Sequence, residues 1–330
     1  MYYPNHPSLP TSSESASELV YSKHCRLKSG DDAMESKPSL LCLERLPQNP
    51  RIGRQSLPLE ARLHEAVLQR KLSVHFQPQY EVNGGQGCGV EALARWTLPA
   101  DREISPTVFI PVAERTGLIS VLGAWVLEHA CEAVAAWGHL GGRAPTLSVN
   151  ISTLQINEEF SRVLEGIIAR TGFPGSRLEL EITESALIDN AELAIHCCER
   201  WKSLGVQIAV DDFGTGYSSL SYLSRLPVDR LKLDKSFVQR MAFEKKTAAI
   251  VRSILGLGHE MGIAVLVEGI ETESQFAMLQ QMGCKQVQGF LFAKPAPAME
   301  ARALLLMPWG VRLAPVVRPE RMLGRGLHAA

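Results

Sequence analysis

Three features of the sequence predict a closed β/α barrel. Short strand-like runs alternate with longer amphipathic stretches over residues 57–306, the pattern of a mostly parallel sheet covered by helices. Eight such runs fall within about 240 residues, which favours a closed barrel over an open, doubly wound sheet. No G-x-G-x-x-G opens the alternating region, which argues against a dinucleotide-binding fold.

The elements follow in order. Leu63, Ala66, Val67 and Leu72 recur at helical spacing and predict an opening helix. Strands are expected at residues 74–76, 89–93, 147–150, 178–182, 207–210, 230–233, 263–267 and 287–292. Amphipathic helices are expected to include residues 121–137, 191–204, 247–261 and 273–282. Residues 1–56 are rich in Ser, Pro, Asn and charge and are expected to form a largely disordered tail. Residues 307–330 carry Arg312, Arg318, Arg321 and Arg325, broken by Pro308, Pro315 and Pro319, and are expected to be a solvated basic tail.

Composition narrows the function. Of the 330 residues, 45% are hydrophobic and 21% charged, with a formal net charge of -1. Nothing in that balance points to DNA or an anionic membrane, so an anionic substrate needs local cations. The seven cysteines contain no C-x-x-C pair, and the histidines never fall at zinc-site spacing. No apolar run approaches the roughly 20 residues of a membrane span, and no signal peptide opens the chain. A reducing, cytoplasmic setting is expected.

Chemistry in a β/α barrel sits at the C-terminal ends of the strands. The second expected strand holds Glu91, followed by Arg95. The third ends at Asn150, the fourth at Glu181 with Glu184 just beyond, and the fifth at Asp211-Asp212. The sixth carries Lys232 and Asp234, the seventh ends at Glu268 with Glu271 beyond, and the eighth begins with Gln288. Any one of these acids taken alone reads as a helix cap or a turn residue. Seven successive strand ends delivering polar groups to one rim do not, because converging carboxylates repel one another unless cations neutralise them. Oxygen donors with one amide, and no Cys or His cluster, suit Mg²⁺ or Mn²⁺. A cluster this large has room for two ions, the usual device for phosphodiester hydrolysis. Directly after the tandem acids, Gly214 and Gly216 make a tightly turning loop.

The ordered blocks resemble the EAL-domain cyclic di-GMP phosphodiesterases over about residues 58–305. They are Phe76-Gln77-Pro78, Glu91-Ala92-Leu93-Ala94-Arg95-Trp96, Phe109-Ile110-Pro111-Val112-Ala113-Glu114, Ser148-Val149-Asn150-Ile151-Ser152 and Glu181-Ile182-Thr183-Glu184. The loop from Asp211 to Leu220, Lys232-Leu233-Asp234, Val267-Glu268-Gly269-Ile270-Glu271 and Gln288-Gly289-Phe290 complete the set. The resemblance implies a barrel whose first strand runs antiparallel to the rest, and hydrolysis of cyclic di-GMP to linear pGpG. It implies that Glu91, Asn150, Glu181, Asp211, Asp212 and Glu268 hold metal. Catalysis would involve Glu91, Lys232, Glu268 and Gln288. Gln77, Leu93, Arg95 and Asp234 would contact substrate, and Glu184 and Glu271 would anchor the glycine-containing loop. It further implies a homodimer, inhibition by Ca²⁺, and room for a regulatory protein partner. No GGDEF, receiver or PAS-like input domain is expected in the first 55 residues, which are short and polar. The competing expectations are a catalytically silent receptor on the same barrel, or an unrelated metal-dependent barrel hydrolase. Turnover of cyclic di-GMP discriminates among the three.

Overall fold

The computed structural model describes residues 58–98, 102–140, 142–184, 191–215, 223 and 225–309. The chain divides into units 1–52 and 53–330, and every described residue belongs to the second. The tail expected at 1–56, residues 310–330, and residues 216–220 of the glycine-containing loop lie outside the described residues.

Helix α1 (Leu59–Leu68) buries Leu63, Ala66 and Val67. Strands β1 (Ser73–Glu81) and β2 (Gly87–Leu98) form an antiparallel hairpin with Gln77 opposite Glu91. Strand β3 (Arg102–Ile104) extends β2. Helix α2 (Pro106–Arg115) starts where Ser105 Oγ accepts from the Thr107 amide and Pro106 presets the first helical φ. Helix α3 (Ile119–Ala135) is followed by β4 (Thr146–Ile151), α4 (Glu158–Thr171), β5 (Leu178–Thr183) and α5 (Ala191–Ser203). Then come β6 (Gln207–Phe213), β7 (Arg230–Leu233), α6 (Lys235–Met241), α7 (Lys245–Met261), β8 (Ala264–Val267), α8 (Glu273–Gln281) and β9 (Gln286–Val287). A short strand β10 (Ala296–Pro297) and helix α9 (Ala298–Leu305) end the described fold.

The sheet closes. Strands β2, β4, β5, β6, β7, β8 and β9 pair in parallel in that order, and β1 seals the seam by pairing antiparallel with both β2 and β9. The barrel therefore has eight strands, the first reversed, with β3 and β10 attached outside the ring.

Period-two alternation sorts the side chains of β4 to β8. Leu147, Val149, Leu178, Leu180, Ile182, Ile208, Val210, Leu231, Leu233, Val265 and Val267 are buried. Each side chain of this size contributes about 1.5–3 kcal/mol on full burial. The alternate positions are mostly polar, and they carry the site described below.

Four expected strands differ clearly from those observed; the second runs over Gly87–Leu98 rather than 89–93. The first is not three residues but nine, because it continues through Gln77, Pro78 and Gln79, two polar residues around a proline that look like loop in sequence. The fifth runs on to Phe213, through a register shift between Val210 and Phe213. The eighth is only Gln286–Val287, so Gln288 follows the last strand rather than opening it. Beyond it the backbone turns against residue 270: the Ile270 amide donates to the Gln288 carbonyl and the Leu291 amide to the Ile270 carbonyl. A Cβ at Gly289 would lie 2.2 Å from the Ile270 carbonyl oxygen, so this close approach requires glycine.

Candidate active site

The C-terminal ends of the parallel strands converge on the ammonium of Lys232, which is 1% exposed. Its Nζ lies 2.7 Å from Glu181 Oε2, 2.8 Å from Glu268 Oε1, 3.4 Å from Asp211 Oδ1 and 3.7 Å from Glu91 Oε1. These acids come from β5, the end of β8, β6 and β2. Asn150 on β4 donates from Nδ2 to Glu91 Oε1 at 2.7 Å. Gln288 donates from Nε2 to Glu91 Oε2 at 2.6 Å and to Gln77 Oε1 at 3.1 Å, and Gln77 Nε2 in turn donates to the Ala293 carbonyl. Seven strands and one following turn thus meet in one hydrogen-bonded and ion-paired cluster.

The tandem acids are placed by backbone irregularity. The ladder between β6 and β7 matches Val210 with Leu231 but Phe213 with Leu233, so one extra residue is accommodated at Asp211-Asp212. Asp212 takes φ 53°, a left-handed conformation that Asp tolerates better than most residues. Its amide donates to Asp211 Oδ1. The bulge keeps Asp211 in the cluster and leaves Asp212 exposed.

Electrostatics in the cluster are unbalanced, with four carboxylates facing one ammonium. Burial opposes the charge on Lys232, but Glu181, Glu268, Glu91 and Asp211 outweigh it and hold the ammonium well above the usual lysine range. Burial pushes Glu181 well above the usual carboxylate range; Lys232 opposes this, while Glu91, Asp211 and Glu179 add to it. Burial likewise raises Glu268, to about 8. Glu91 goes the other way: burial is overcome by Lys232 and by the hydrogen bonds from Gln288 and Asn150. Burial and then Asp211 raise Asp212.

Among the described residues, no three His, Cys, Asp or Glu side chains already stand as a preformed cation site, because the acids are gathered around Lys232. The donor set nevertheless fits a hard divalent cation. It is all oxygen; Glu181 Oε1 is buried with no hydrogen-bond donor among the described residues, and Glu181 Oε2 and Glu268 Oε1 share the one Lys232 ammonium with two further acids. Uncompensated negative charge in a buried mouth is what a divalent cation relieves.

The remaining expected site residues lie around this centre. Arg95 pairs with Glu103 at 3.4 Å and donates to the Ala94 carbonyl; Leu93 is half-buried on the same strand. Asp234 caps α6 by accepting from the Ser236 amide. Glu184 is buried and accepts from the Gly214 amide at 3.1 Å, at the start of the glycine-containing loop. Glu271 is exposed, and its amide donates to Gln275. Sequence reasoning missed a second polar layer beneath the cluster: Gln79, Ser148, Glu179 and Arg230, all buried. The signal was present, since each lies two residues before or after a predicted site residue on its strand.

The EAL domain family model matches residues 60–295. The chain is 44% identical over 236 residues to an uncharacterized signaling protein of Caulobacter vibrioides, a match covering 71% of this chain and 29% of that one. It is 39% identical over 252 residues, 76% of this chain and 37% of the relative, to MucR of Pseudomonas aeruginosa, which is named a bifunctional diguanylate cyclase/cyclic di-GMP phosphodiesterase. These matches span only about a third of the curated relatives' length. The phosphodiesterase of MucR solved with cyclic di-GMP superposes with a TM-score of 0.70 at 40% identity, covering 74% of this chain and 99% of that one. With the reversed-strand barrel and the Glu91-Ala92-Leu93 strand feeding its acidic mouth, the chain belongs to the EAL domain family.

Proposed function

We propose that the barrel is a metal-dependent phosphodiesterase that hydrolyses cyclic di-GMP to linear pGpG. The single observation that carries this reading is the Lys232-centred cluster, with its excess of buried acid at the C-terminal rim of an EAL barrel. Glu91, Asn150, Glu181, Asp211, Asp212 and Glu268 would hold Mg²⁺ or Mn²⁺. When bound, such ions supply Lewis-acid polarisation of the phosphodiester and an acidified water.

The chain's own residues do the rest. Lys232 offsets negative charge growing on the phosphate oxygens. Glu91 is held ionised and oriented by Asn150 and Gln288, two amide donors that fix its two oxygens separately. Gln288 and Gln77 form a buried amide pair that aligns the rim between β1 and β9. Glu268 stands at the end of β8 with its Oε1 2.8 Å from Lys232 Nζ, where it can serve a cation and face the attacking water. Arg95, paired with Glu103, would exchange that partner for a substrate phosphate, and Gln77, Leu93 and Asp234 would supply further substrate contacts. In the reaction the water oxygen bonds to phosphorus, the P–O3′ bond breaks, and the leaving oxygen takes a proton. Glu184 ties the glycine-containing loop to β5 through Gly214, and Glu271 is the second candidate anchor. Ca²⁺ prefers more and longer oxygen bonds than Mg²⁺ and is expected to bind without supporting turnover. A homodimer and a regulatory partner belong to the same reading.

The test is purified protein with cyclic di-GMP and Mg²⁺ or Mn²⁺, with pGpG followed by chromatography. Turnover that disappears in Glu91→Ala supports the enzyme. Binding of the dinucleotide without cleavage replaces it with a receptor.

A further inference from the structure

A second charged contact stands higher on β2 than the acidic centre. Period-two alternation places Glu91, Leu93 and Arg95 on one face of that strand. Arg95 is therefore about 13 Å beyond Glu91 toward the mouth, at about 3.3 Å per residue. Strand β3 folds back on β2 with Glu103 opposite Thr97. That makes Glu103 the diagonal neighbour of Arg95 on the same face, and its Oε1 lies 3.4 Å from Arg95 Nε.

The pair is loose. A charge-assisted hydrogen bond between guanidinium and carboxylate is about 2.7–2.9 Å long, and the Glu103 side chain is 56% exposed against 15% for Arg95. Arg95 Nη1 donates to the Ala94 carbonyl at 2.9 Å, which holds the plane of the guanidinium while Nε meets Glu103. A phosphate approaching that edge of the fork finds a carboxylate already there, and the two like charges oppose one another. His75, opposite Leu93 on β1, does not offset Glu103. Burial, and then Arg95, hold its imidazole below the usual histidine range, so it is mostly neutral near pH 7.

We propose that Glu103 is a built-in competitor for the substrate phosphate at Arg95, setting the affinity for the dinucleotide without taking part in bond cleavage. This rests on the proposed function only in taking Arg95 as a phosphate partner. A merely structural cross-strand pair would behave in the opposite way, since its loss would release Arg95 from its orientation and weaken binding. Exposed ion pairs of this kind shift equilibria by about two- to fivefold, and that is the expected scale.

The test compares wild type, Glu103→Gln, Arg95→Met and the double variant Arg95→Met/Glu103→Gln, each as the full chain. Cyclic di-GMP binding is measured by calorimetry in EDTA, and kcat and KM with Mn²⁺. Glu103 is exposed, so Glu103→Gln is expected to fold. It is expected to tighten binding and lower KM by about two- to fivefold. Its kcat should change less than about twofold, the pattern of binding gained equally in the ground and transition states. In the Arg95→Met background the same substitution is expected to gain less than about 1.5-fold. Unchanged or weaker binding in Glu103→Gln overturns the proposal. An equal gain in both backgrounds also overturns it, because Glu103 is then a general repulsive charge that does not act through Arg95. Arg95→Met that binds like wild type overturns it too, since Arg95 is then no phosphate partner. If Arg95→Met does not fold, the sign of the Glu103→Gln effect decides. If wild type binds only with metal present, the KM series decides by the same criteria. Wild-type protein that binds cyclic di-GMP but does not cleave it overturns the enzymatic reading alone, and the binding series still judges Glu103. Wild-type protein that neither binds nor cleaves it overturns both.

Discussion

The two faces of the same strands carry opposite chemistry. On β5, Leu178, Leu180 and Ile182 are fully buried among apolar neighbours, while Glu179 and Glu181, interleaved with them, join an ion-paired interior. On β7, Leu231 and Leu233 alternate with Arg230 and Lys232 in the same way. The helix-facing side supplies cohesion, since burying apolar area is its whole contribution. The inner side spends burial on groups that resist it, so its contribution to stability is small or negative and its value is chemical. One residue of register separates the two roles, and a slip of one position would exchange them.

Neighbouring substitutions sharpen that contrast most. Glu181→Gln should lower cyclic di-GMP turnover by about 10³-fold, the scale of losing a preorganised electrostatic group. It should leave thermal stability of the metal-free protein unchanged or raised, because it removes one of four carboxylates crowded around a single ammonium, and one whose Oε1 has no hydrogen-bond donor among the described residues. The adjacent Leu180→Ala should do the reverse: a loss of about 2–5 kcal/mol in denaturant unfolding, with kcat of the folded fraction near wild type. Equal stability losses in both variants would break the division between the faces.

Lys232→Met tests its exception. Removing the ammonium leaves four acids buried together, so the metal-free protein should lose about 3–5 kcal/mol. Added Mn²⁺ should recover part of that loss in the unfolding midpoint, by binding the folded state alone. No recovery would argue against a cation site at this layer.

A smaller effect follows from Glu268, whose folded carboxyl is raised from 4.5 to about 8 by burial. Between those values the folded state binds more protons than the unfolded chain, so metal-free stability should fall as pH rises through that window. The slope is at most about 1.4 kcal/mol per pH unit for one such proton. Unfolding midpoints from pH 5 to 8 measure it. Cation binding near pH 7 should release protons, visible as a buffer-dependent heat in calorimetry. Midpoints that rise across the window would reverse the sign assigned to Glu268.

Much of the rim was legible because strand ends are marked by period and by motif. Asn150, Glu181, Asp211 and Glu268 fall where an apolar alternation stops, Glu91 and Lys232 stand within their strands and were marked by motif, and the structure brings all six together. Gln288 was legible as a site residue but misplaced on its strand, because the apolar residues around 290 imitate a strand that the close approach to Ile270 turns aside. The length of β1 was hidden for the opposite reason: its inward residues, Gln77 and Gln79, are polar, so the strand does not look like core.

Sequence by itself determined the α/β barrel, the order of its elements and the family to which the acids belong, since these rest on local periodicity and contiguous motifs. Tertiary structure alone decided the charge state of those acids and the layer beneath them. Whether a carboxylate is raised like Glu268 or lowered like Glu91 depends on desolvation and on partners that are as many as 197 residues away along the chain, as Gln288 is from Glu91. The stacked pairing of Glu179 with Arg230 beneath Glu181 and Lys232 exists only once β5, β6 and β7 lie side by side and Ala209 opens the space between them.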